Sequence, residues 1–446
     1  MIKSTFPKIL FLEITPHHKD ATGITLSNLF SGWPKENLYM VVSSEMSMLA
    51  KDSGYLNIYE ISSKEYKHRF PLNLIKGVYL LIKRFGLKKF QTETTNIYIE
   101  SAEKSIIQNN NTRSLNKFVS QIFNSFLQQN GLQHYLYRCV LSDDLCKWIE
   151  NSNPDYIYTL LSTRHSILFA LEVYNKFKKP IVVHIMDDWP STIAKNGMFS
   201  SYLSKKIDSE FMELLNHCYK KFAISKKMAD EYKLRYGGEW PYFHNPIDLS
   251  FWGKNIKNSY SANSPFEILY SGRIGSGVNN TLELIAESID ELVLNENLDI
   301  VLKIQSNDKP EWIAKYKSIQ FSHYVKYEEL PALFSKVDVL LIPFDFDGEG
   351  LEFIKYSMPT KVSEYMISGT PILVVSPDST ALYQYATEYK WGFVISENNK
   401  DAIKSGIKEL FSNQKKREEL GKIAKQVAEA RHNIVKITEE FANQFD

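Results

Sequence analysis

The segment Ser357–Leu373, SMPTKVSEYMISGTPIL, contains residue types that could hold a diphosphate and a ribose. Pro359 suits the start of a helix, because its missing N–H has no partner to lose there. The free N–H groups at a helix N-terminus, together with the macrodipole and Lys361, can bind a diphosphate. Glu364, about one turn further on, offers a carboxylate to both ribose hydroxyls. An ordinary capped helix before a buried strand would explain the glycine and prolines, but not the lysine and glutamate.

A second cation, Arg273, follows an apolar run and precedes the glycine-rich turn Gly275–Gly277. A guanidinium at this position can hold a departing diphosphate through two parallel hydrogen bonds. The alternative is a surface arginine in a flexible loop.

Two adjacent carboxylates, Asp187 and Asp188, follow the apolar run Ile181–Ile185. A carboxylate at the C-terminal end of a strand that faces a cleft can orient or deprotonate a hydroxyl group. This role is expected of Asp187. For Asp188 we favour the alternative that one aspartate caps the next turn and the other forms a salt bridge.

Two weaker candidates lie near the ends of other predicted strands. Gly23 follows the first strand and precedes a helix, where a glycine permits close backbone approach of a ligand, although a simple turn is the more frequent reason for it. His165 follows a later strand and is an acceptor-side candidate, although a lone histidine is more often structural.

These residues are spaced along a chain in which strand-like apolar runs alternate with amphipathic, helix-like ones, as in parallel βαβ units. The runs predicted as strands are Lys8–Ile14, Leu38–Ser43, Tyr156–Leu161, Ile181–Ile185, Lys221–Ile224, Phe266–Tyr270, Asp299–Ile304, Val337–Ile342 and Pro371–Val375. Helices are predicted between them, among others at Thr281–Val293 and Lys361–Ser368. Parallel sheets bind ligands at the carboxyl ends of their strands, so the pattern predicts two doubly wound domains that face a cleft.

The domain boundary is predicted at Phe243–Asp248, FHNPID, because Asn-Pro favours a turn and restricts the asparagine to an extended conformation. The domains are then residues 1–245 and 246–446. An irregular insertion rich in lysine and aromatic residues is expected at about 62–130. The strongly helical Gln414–Asn443 is expected either to close the second domain or to pack back across the junction.

The segment PTKVSEYMISGTPIL resembles the nucleotide-sugar signature of GT-B glycosyltransferases, especially the retaining enzymes of family four. Further resemblances follow in the order of that family and cover most of residues 220–435. Ala223–Gly237 resembles the last strand and helix of its N-terminal domain, and His244–Trp252 resembles its interdomain crossover. Tyr270–Gly277 resembles its donor-phosphate loop, Tyr324–Phe344 its base-binding segment and Leu420–Asn433 its closing helix.

The resemblance implies two Rossmann-like domains and transfer of a sugar, with retention, from a nucleoside-diphosphate sugar to a glycan or lipid-linked saccharide in cell-surface polysaccharide or glycan biosynthesis. Asp187 would lie near the acceptor, and Arg273 and Lys361 would stabilise the departing diphosphate. We expect no cofactor and no metal, because these cations meet the charge of the diphosphate. The donor-binding residues would be Gly23, Gly272, Arg273, Ser357, Pro359, Thr360, Lys361 and Glu364.

Two departures from the family pattern keep other functions open. Val278 stands where the family usually has a second phosphate-binding lysine, and Lys361 is the candidate substitute. Tyr356 stands where the family often has a first glutamate, whose role is either missing or supplied by Glu349 or Glu352. These departures favour a degenerate, non-catalytic relative that binds glycans or scaffolds partners. A nucleotide-sugar epimerase, which needs no acceptor, is a second alternative, against which the HNPID stretch and the context of Glu364 argue.

Charge is divided unevenly between the two halves. Residues 1–245 carry 31 Lys and Arg against 23 Asp and Glu, and the remainder carries 22 against 29. The basic half either meets an anionic partner or shows ordinary drift of surface charge. Within Lys64–Phe90, basic and apolar residues suit peripheral contact with an anionic membrane, or equally a solvated helical face. No nucleic-acid partner is expected.

No apolar run approaches the roughly 20 residues that cross a bilayer. The N-terminal apolar stretch is too short for a signal peptide and is predicted as the first strand. Three cysteines without metal-ligand spacing suit a reducing cytoplasm. Peripheral membrane contact through the basic half would place the protein at the inner face of the membrane.

Overall fold

The computed structural model describes residues 6–68, 137–193 and 200–445. Most of the predicted insertion and of the basic segment Lys64–Phe90 lies outside these ranges. In the first half the elements are β1 (Ile9–Leu12), α1 (Ala21–Leu29), β2 (Leu38–Val42), α2 (Ser44–Asp52), β3 (Asn57–Glu60), β4 (Tyr66–His68), β5 (Tyr137–Cys139), α3 (Asp143–Ser152), β6 (Tyr156–Thr159), α4 (Arg164–Phe177), β7 (Ile181–Ile185), α5 (Trp189–Thr192), α6 (Ser200–Asn216), β8 (Cys218–Ala223) and α7 (Lys226–Tyr236).

The second half repeats the alternation of strands and helices. Its elements are α8 (Leu249–Trp252), β9 (Phe266–Ser271), α9 (Asn279–Glu296), β10 (Ile300–Gln305), β11 (Ile319–Ser322), α10 (Leu330–Lys336), β12 (Val339–Pro343), α11 (Gly348–Ile354), α12 (Lys361–Ile367), β13 (Ile372–Val375), α13 (Ala381–Tyr389), β14 (Phe393–Ile395), α14 (Lys400–Ser412), α15 (Gln414–Arg431) and α16 (Ile434–Ala442).

Each half contains a six-stranded sheet whose paired strands are all parallel. The strand orders are β3-β2-β1-β6-β7-β8 and β11-β10-β9-β12-β13-β14. In both sheets the order reverses beside the first strand, as it does in doubly wound nucleotide-binding folds. The expected architecture of two Rossmann-like domains is therefore confirmed. The strands β4 and β5 form a separate antiparallel pair.

The predicted C-terminal helix is broken into α15 and α16 by His432 and Asn433. Asn433 caps α16, and backbone hydrogen bonds join this break to Ile247 in the crossover. Beyond the break, α16 packs against α1 of the first domain. Phe441 lies 5.1 Å from Phe30 between ring centroids. The helix α16 therefore packs into the core of the first domain.

Among the described residues, no helix combines the length and apolar character that crossing a bilayer requires.

Candidate functional site

The donor-side residues of the second domain lie where its strand order reverses. The loop after β9 contains Gly272 and Arg273, and α12 brings its first turn against that loop. The Tyr365 hydroxyl accepts a hydrogen bond from Ser271 N at 3.0 Å, which ties α12 to the end of β9. Ligands of doubly wound sheets bind at this reversal, so the loop and the helix together frame a candidate nucleotide site.

Lys361 extends from the start of α12 across the loop. Its Nζ atom lies 4.4 Å from the centroid of the Tyr270 ring, and the Tyr270 hydroxyl donates to the carbonyl of Arg273 at 2.5 Å. A Cβ atom at Gly272 would overlap the Lys361 ammonium, so a larger residue would displace the lysine from this position. One buried tyrosine thus places the lysine beside the arginine loop, and Gly272 permits the approach.

Glu364 lies in the same first turn of α12, and only 7% of its surface is exposed. Burial raises the pKa of Glu364 to about 7 and lowers that of Lys361 to about 8, while the charge of each opposes the shift of the other. Within the described part of the chain, no residue donates a hydrogen bond to the Glu364 carboxylate. The turn therefore holds a half-buried cation and a buried anion, neither with a hydrogen-bonded partner in the described chain.

Asp187 reaches this region from the first domain. Its Oδ1 atom accepts a hydrogen bond of 2.6 Å from the Ser357 hydroxyl, across the cleft between the two sheets. Burial raises the pKa of Asp187, and Ser357 and the positive charge of Arg273 oppose that shift. The structure therefore brings Asp187, Ser357 and Arg273 together, although they lie on different domains.

Pro359 and Thr360 form the approach to α12. The helix begins at Lys361 with Thr360 as its N-cap, so Pro359 lies just before the cap and not at the first helical position. The side chain of Asn245, in the crossover, lies 3.4 Å from the Thr360 carbonyl and accepts a hydrogen bond from Asn28 of α1 at 3.0 Å. This amide links the first domain to the start of the helix.

Residues 254–427 match the family model described as glycosyl transferases group 1. HepE from Anabaena, in complex with UDP and glucose, is similar with a TM-score of 0.59 and 11% sequence identity over 98% of both chains. Sucrose-phosphate synthase from Thermosynechococcus elongatus and a glycosyltransferase from Rickettsia africae each give a TM-score of 0.58 at 11% identity over 98% of both chains. No curated protein matches the sequence significantly.

The second domain of the chain is similar to the group 1 glycosyltransferases. The family match lies in the second domain, and the similarity of the whole chain to the solved structures shows that its fold is GT-B. The resemblance drawn from the sequence is confirmed.

Asp188 is part of a buried hydrogen-bond network, unlike its neighbour Asp187. Its side chain is 1% exposed and accepts hydrogen bonds from Tyr232 at 2.8 Å and Ser191 at 2.6 Å. Arg235 contacts both of its oxygens, at 3.0 and 3.1 Å. The salt bridge that the alternative expects is therefore present, and an acceptor-side role for Asp188 stays a prediction.

Gly23 lies in the first turn of α1, and not in a loop before it. Its N–H donates to Asp20 at 2.8 Å, and a Cβ atom here would overlap the ring of His17. The close approach that this glycine permits is that of His17. A contact with the donor stays a prediction.

The two departures from the family pattern have structural explanations. Val278 is the N-cap of α9 and packs against the core of the second domain, so a lysine here would lose apolar contact. Tyr356 is buried at the domain interface, where its carbonyl accepts from Ser225 at 2.6 Å. Glu349 and Glu352 are both exposed, on α11.

Sequence reasoning missed Tyr270 and Tyr365, which orient the donor-side residues. Both are buried aromatic residues within apolar runs, so their pattern indicated only core packing. Their position beside Lys361 depends on the pairing of β9 with β12 and on the packing of α12. Local sequence patterns predict neither the pairing nor the packing.

Proposed function

We propose that this glycosyltransferase moves a sugar from a nucleoside-diphosphate sugar to a glycan or lipid-linked saccharide, in polysaccharide or glycan biosynthesis. The observation that carries the proposal is the convergence of Lys361, Glu364 and Arg273 at the carboxyl edge of the second sheet. The similar structure of HepE contains UDP and glucose, which supports a nucleotide sugar as the donor. Retention of the anomeric configuration rests on the family resemblance.

Each donor-side residue has a distinct role in this proposal. Arg273 and Lys361 bind the diphosphate, whose negative charge grows as the bond to the sugar breaks. The Glu364 carboxylate accepts hydrogen bonds from the ribose hydroxyls. The protein thereby stabilises the leaving group by preorganised charge, with little covalent chemistry of its own.

We propose that the transfer requires no metal, since Arg273 and Lys361 would meet the charge of the diphosphate. Asp187 would orient the acceptor hydroxyl, because it lies at the end of β7 beside Arg273. A lipid-linked acceptor would place the enzyme in the cytoplasm at the inner face of the membrane.

A donor and acceptor panel tests the proposal. Purified protein is incubated with UDP- and GDP-hexoses and with octyl glycosides, with and without EDTA, and transfer is measured by mass spectrometry. We expect transfer that EDTA leaves intact, and NMR of the product anomeric proton to show retention. Loss of transfer in EDTA that Mg²⁺ or Mn²⁺ restores would refute metal independence. Conversion of the donor without transfer would favour the epimerase, and binding without turnover the non-catalytic relative.

A further inference from the structure

Two residues with strained backbones lie at the carboxyl end of the central strands of the first sheet. Six non-glycine residues in the described ranges have a positive φ. Four of them are helix C-caps, where this conformation is common, namely Asn153, Lys178, Asn297 and Lys390. The other two are Glu13, with φ of 61°, and Leu161, with φ of 55°. Neither residue type favours this conformation, and such strain is concentrated at functional sites.

Glu13 and Leu161 follow the two strands between which the strand order reverses. Glu13 comes directly after β1, Leu161 comes just after β6, and these strands are paired in parallel. Ligands of doubly wound sheets bind in the crevice beyond this reversal. Strand β7 lies beside β6 and ends near Asp187. It is two strand spacings, about 10 Å, from β1 and Glu13. The carboxyl end of the sheet therefore continues into the cleft that Asp187 and Ser357 span.

The Glu13 carboxylate is held on one side only. Its Oε1 atom lies 2.9 Å from His165 Nε2, and His165 Nδ1 lies 2.7 Å from the hydroxyl of Thr163, the N-cap of α4. The side chain of Glu13 is 20% exposed, and its Oε2 atom accepts no hydrogen bond from any residue in the described ranges. One oxygen is therefore fixed by the histidine, while the other can accept hydrogen bonds from a ligand.

We infer that Glu13 binds a hydroxyl group of the acceptor saccharide and that His165 positions it, an inference that rests on the proposed function. A carboxylate with one free oxygen accepts from sugar hydroxyls, which are good hydrogen-bond donors. The same negative charge would repel a diphosphate, so the pair suits the acceptor and not the donor. His165 acts through Glu13 and is a positioning residue, because its two ring nitrogens already contact Glu13 and Thr163.

Kinetics with the most active donor and octyl glycoside from the panel test this inference. Glu13→Gln removes the charge and keeps the shape. We expect the acceptor KM to rise roughly 10- to 100-fold, the usual cost of a hydrogen bond to a charged group. The affinity for the nucleotide of that donor, measured by calorimetry, should be unchanged. Glu60→Gln is the matched control, since Glu60 ends the edge strand β3, and should leave the acceptor KM unchanged.

Two histidine variants examine the positioning role separately. His165→Gln keeps an N–H group that can reach Glu13 and should retain a lower acceptor KM than His165→Ala, with kcat affected less than KM. Equal behaviour of the two variants would overturn the positioning role.

The remaining outcomes separate this inference from the proposed function. Unchanged acceptor KM in Glu13→Gln, or an equal loss of nucleotide affinity, would overturn the role of Glu13 while leaving the glycosyltransferase proposal standing. Absence of transfer by the wild-type protein on the whole panel would refute the proposed function and this inference with it.

Discussion

Replacing Lys361 by methionine should change stability and nucleotide binding in opposite directions. Methionine keeps an apolar chain over the ring of Tyr270 but removes the ammonium group. Among the described residues, none accepts a hydrogen bond from this ammonium. We expect the unliganded variant to be more stable than the wild-type protein and to bind the nucleotide more weakly. A general disturbance of the fold would lower both.

The magnitude follows from the pKa of Lys361, which burial lowers from 10.5 to about 8. Each pKa unit corresponds to about 1.4 kcal/mol, and partial exposure reduces the full value, so the charged lysine costs roughly 1–3 kcal/mol of folding stability. Because the folded-state pKa is the lower one, this cost is present below pH 8 and disappears as the pH rises from about 8 toward 10.5. The lost contact with the diphosphate should raise Kd roughly 10- to 100-fold.

Urea denaturation between pH 7 and 10 measures the stability, and calorimetry with the donor nucleotide measures the affinity. The wild-type protein should become relatively more stable above pH 8, and Lys361→Met should lack that rise. Lys257→Met is the control: this lysine is buried, but it donates to the Val337 carbonyl at 2.7 Å. Its loss should lower stability and leave nucleotide affinity unchanged. A Lys361→Met variant that is less stable and binds normally would refute the assignment.

Three further predictions concern single side chains. Arg273→Ala should lower kcat about 100- to 1,000-fold with a smaller effect on donor binding, and Arg273→Lys should restore only part of the lost kcat. If steady-state kinetics show that Arg273→Ala turns over like the wild-type protein, Arg273 does not bind the phosphates. Glu364→Ala should weaken donor binding by about 1.5–3 kcal/mol in calorimetry, and unchanged affinity would exclude the ribose contact. Burial lowers the pKa of His432 from 6.5 to about 4, so the free energy of unfolding should fall by about 3 kcal/mol as the pH drops from 6.5 to 4. In denaturation experiments His432→Gln should lose less stability over this pH range, and an equal loss in both proteins would contradict the prediction.

The sequence predicted every strand inside the two sheets and also β8 at one edge, while the three sheet strands that it missed all lie at edges. The central strands β1, β12 and β13 are buried on both faces, so their apolar runs are continuous. The edge strands β3, β11 and β14 are short and partly exposed, and only β11 alternates between apolar and polar residues, over four residues. Periodicity identifies a strand only where burial imposes it.

The sequence alone determined the alternation of strands and helices, the two-domain fold, and the chemistry of the turn that carries Lys361 and Glu364. These features depend on residues within a few turns or strands of one another, where spacing decides which side chains share a face. The motif also carried the family resemblance, because its lysine and glutamate have no structural purpose in an isolated helix.

Only the tertiary structure decided which distant side chains meet. Glu13 and His165 are far apart in the chain and become neighbours because β1 pairs with β6. Asp187 meets Ser357 because the two sheets face each other, while the adjacent Asp188 turns into a buried network. Such contacts depend on strand order and domain packing, which local sequence patterns do not encode. The proposed acceptor side, unlike the proposed donor motif, is therefore assembled by long-range contacts.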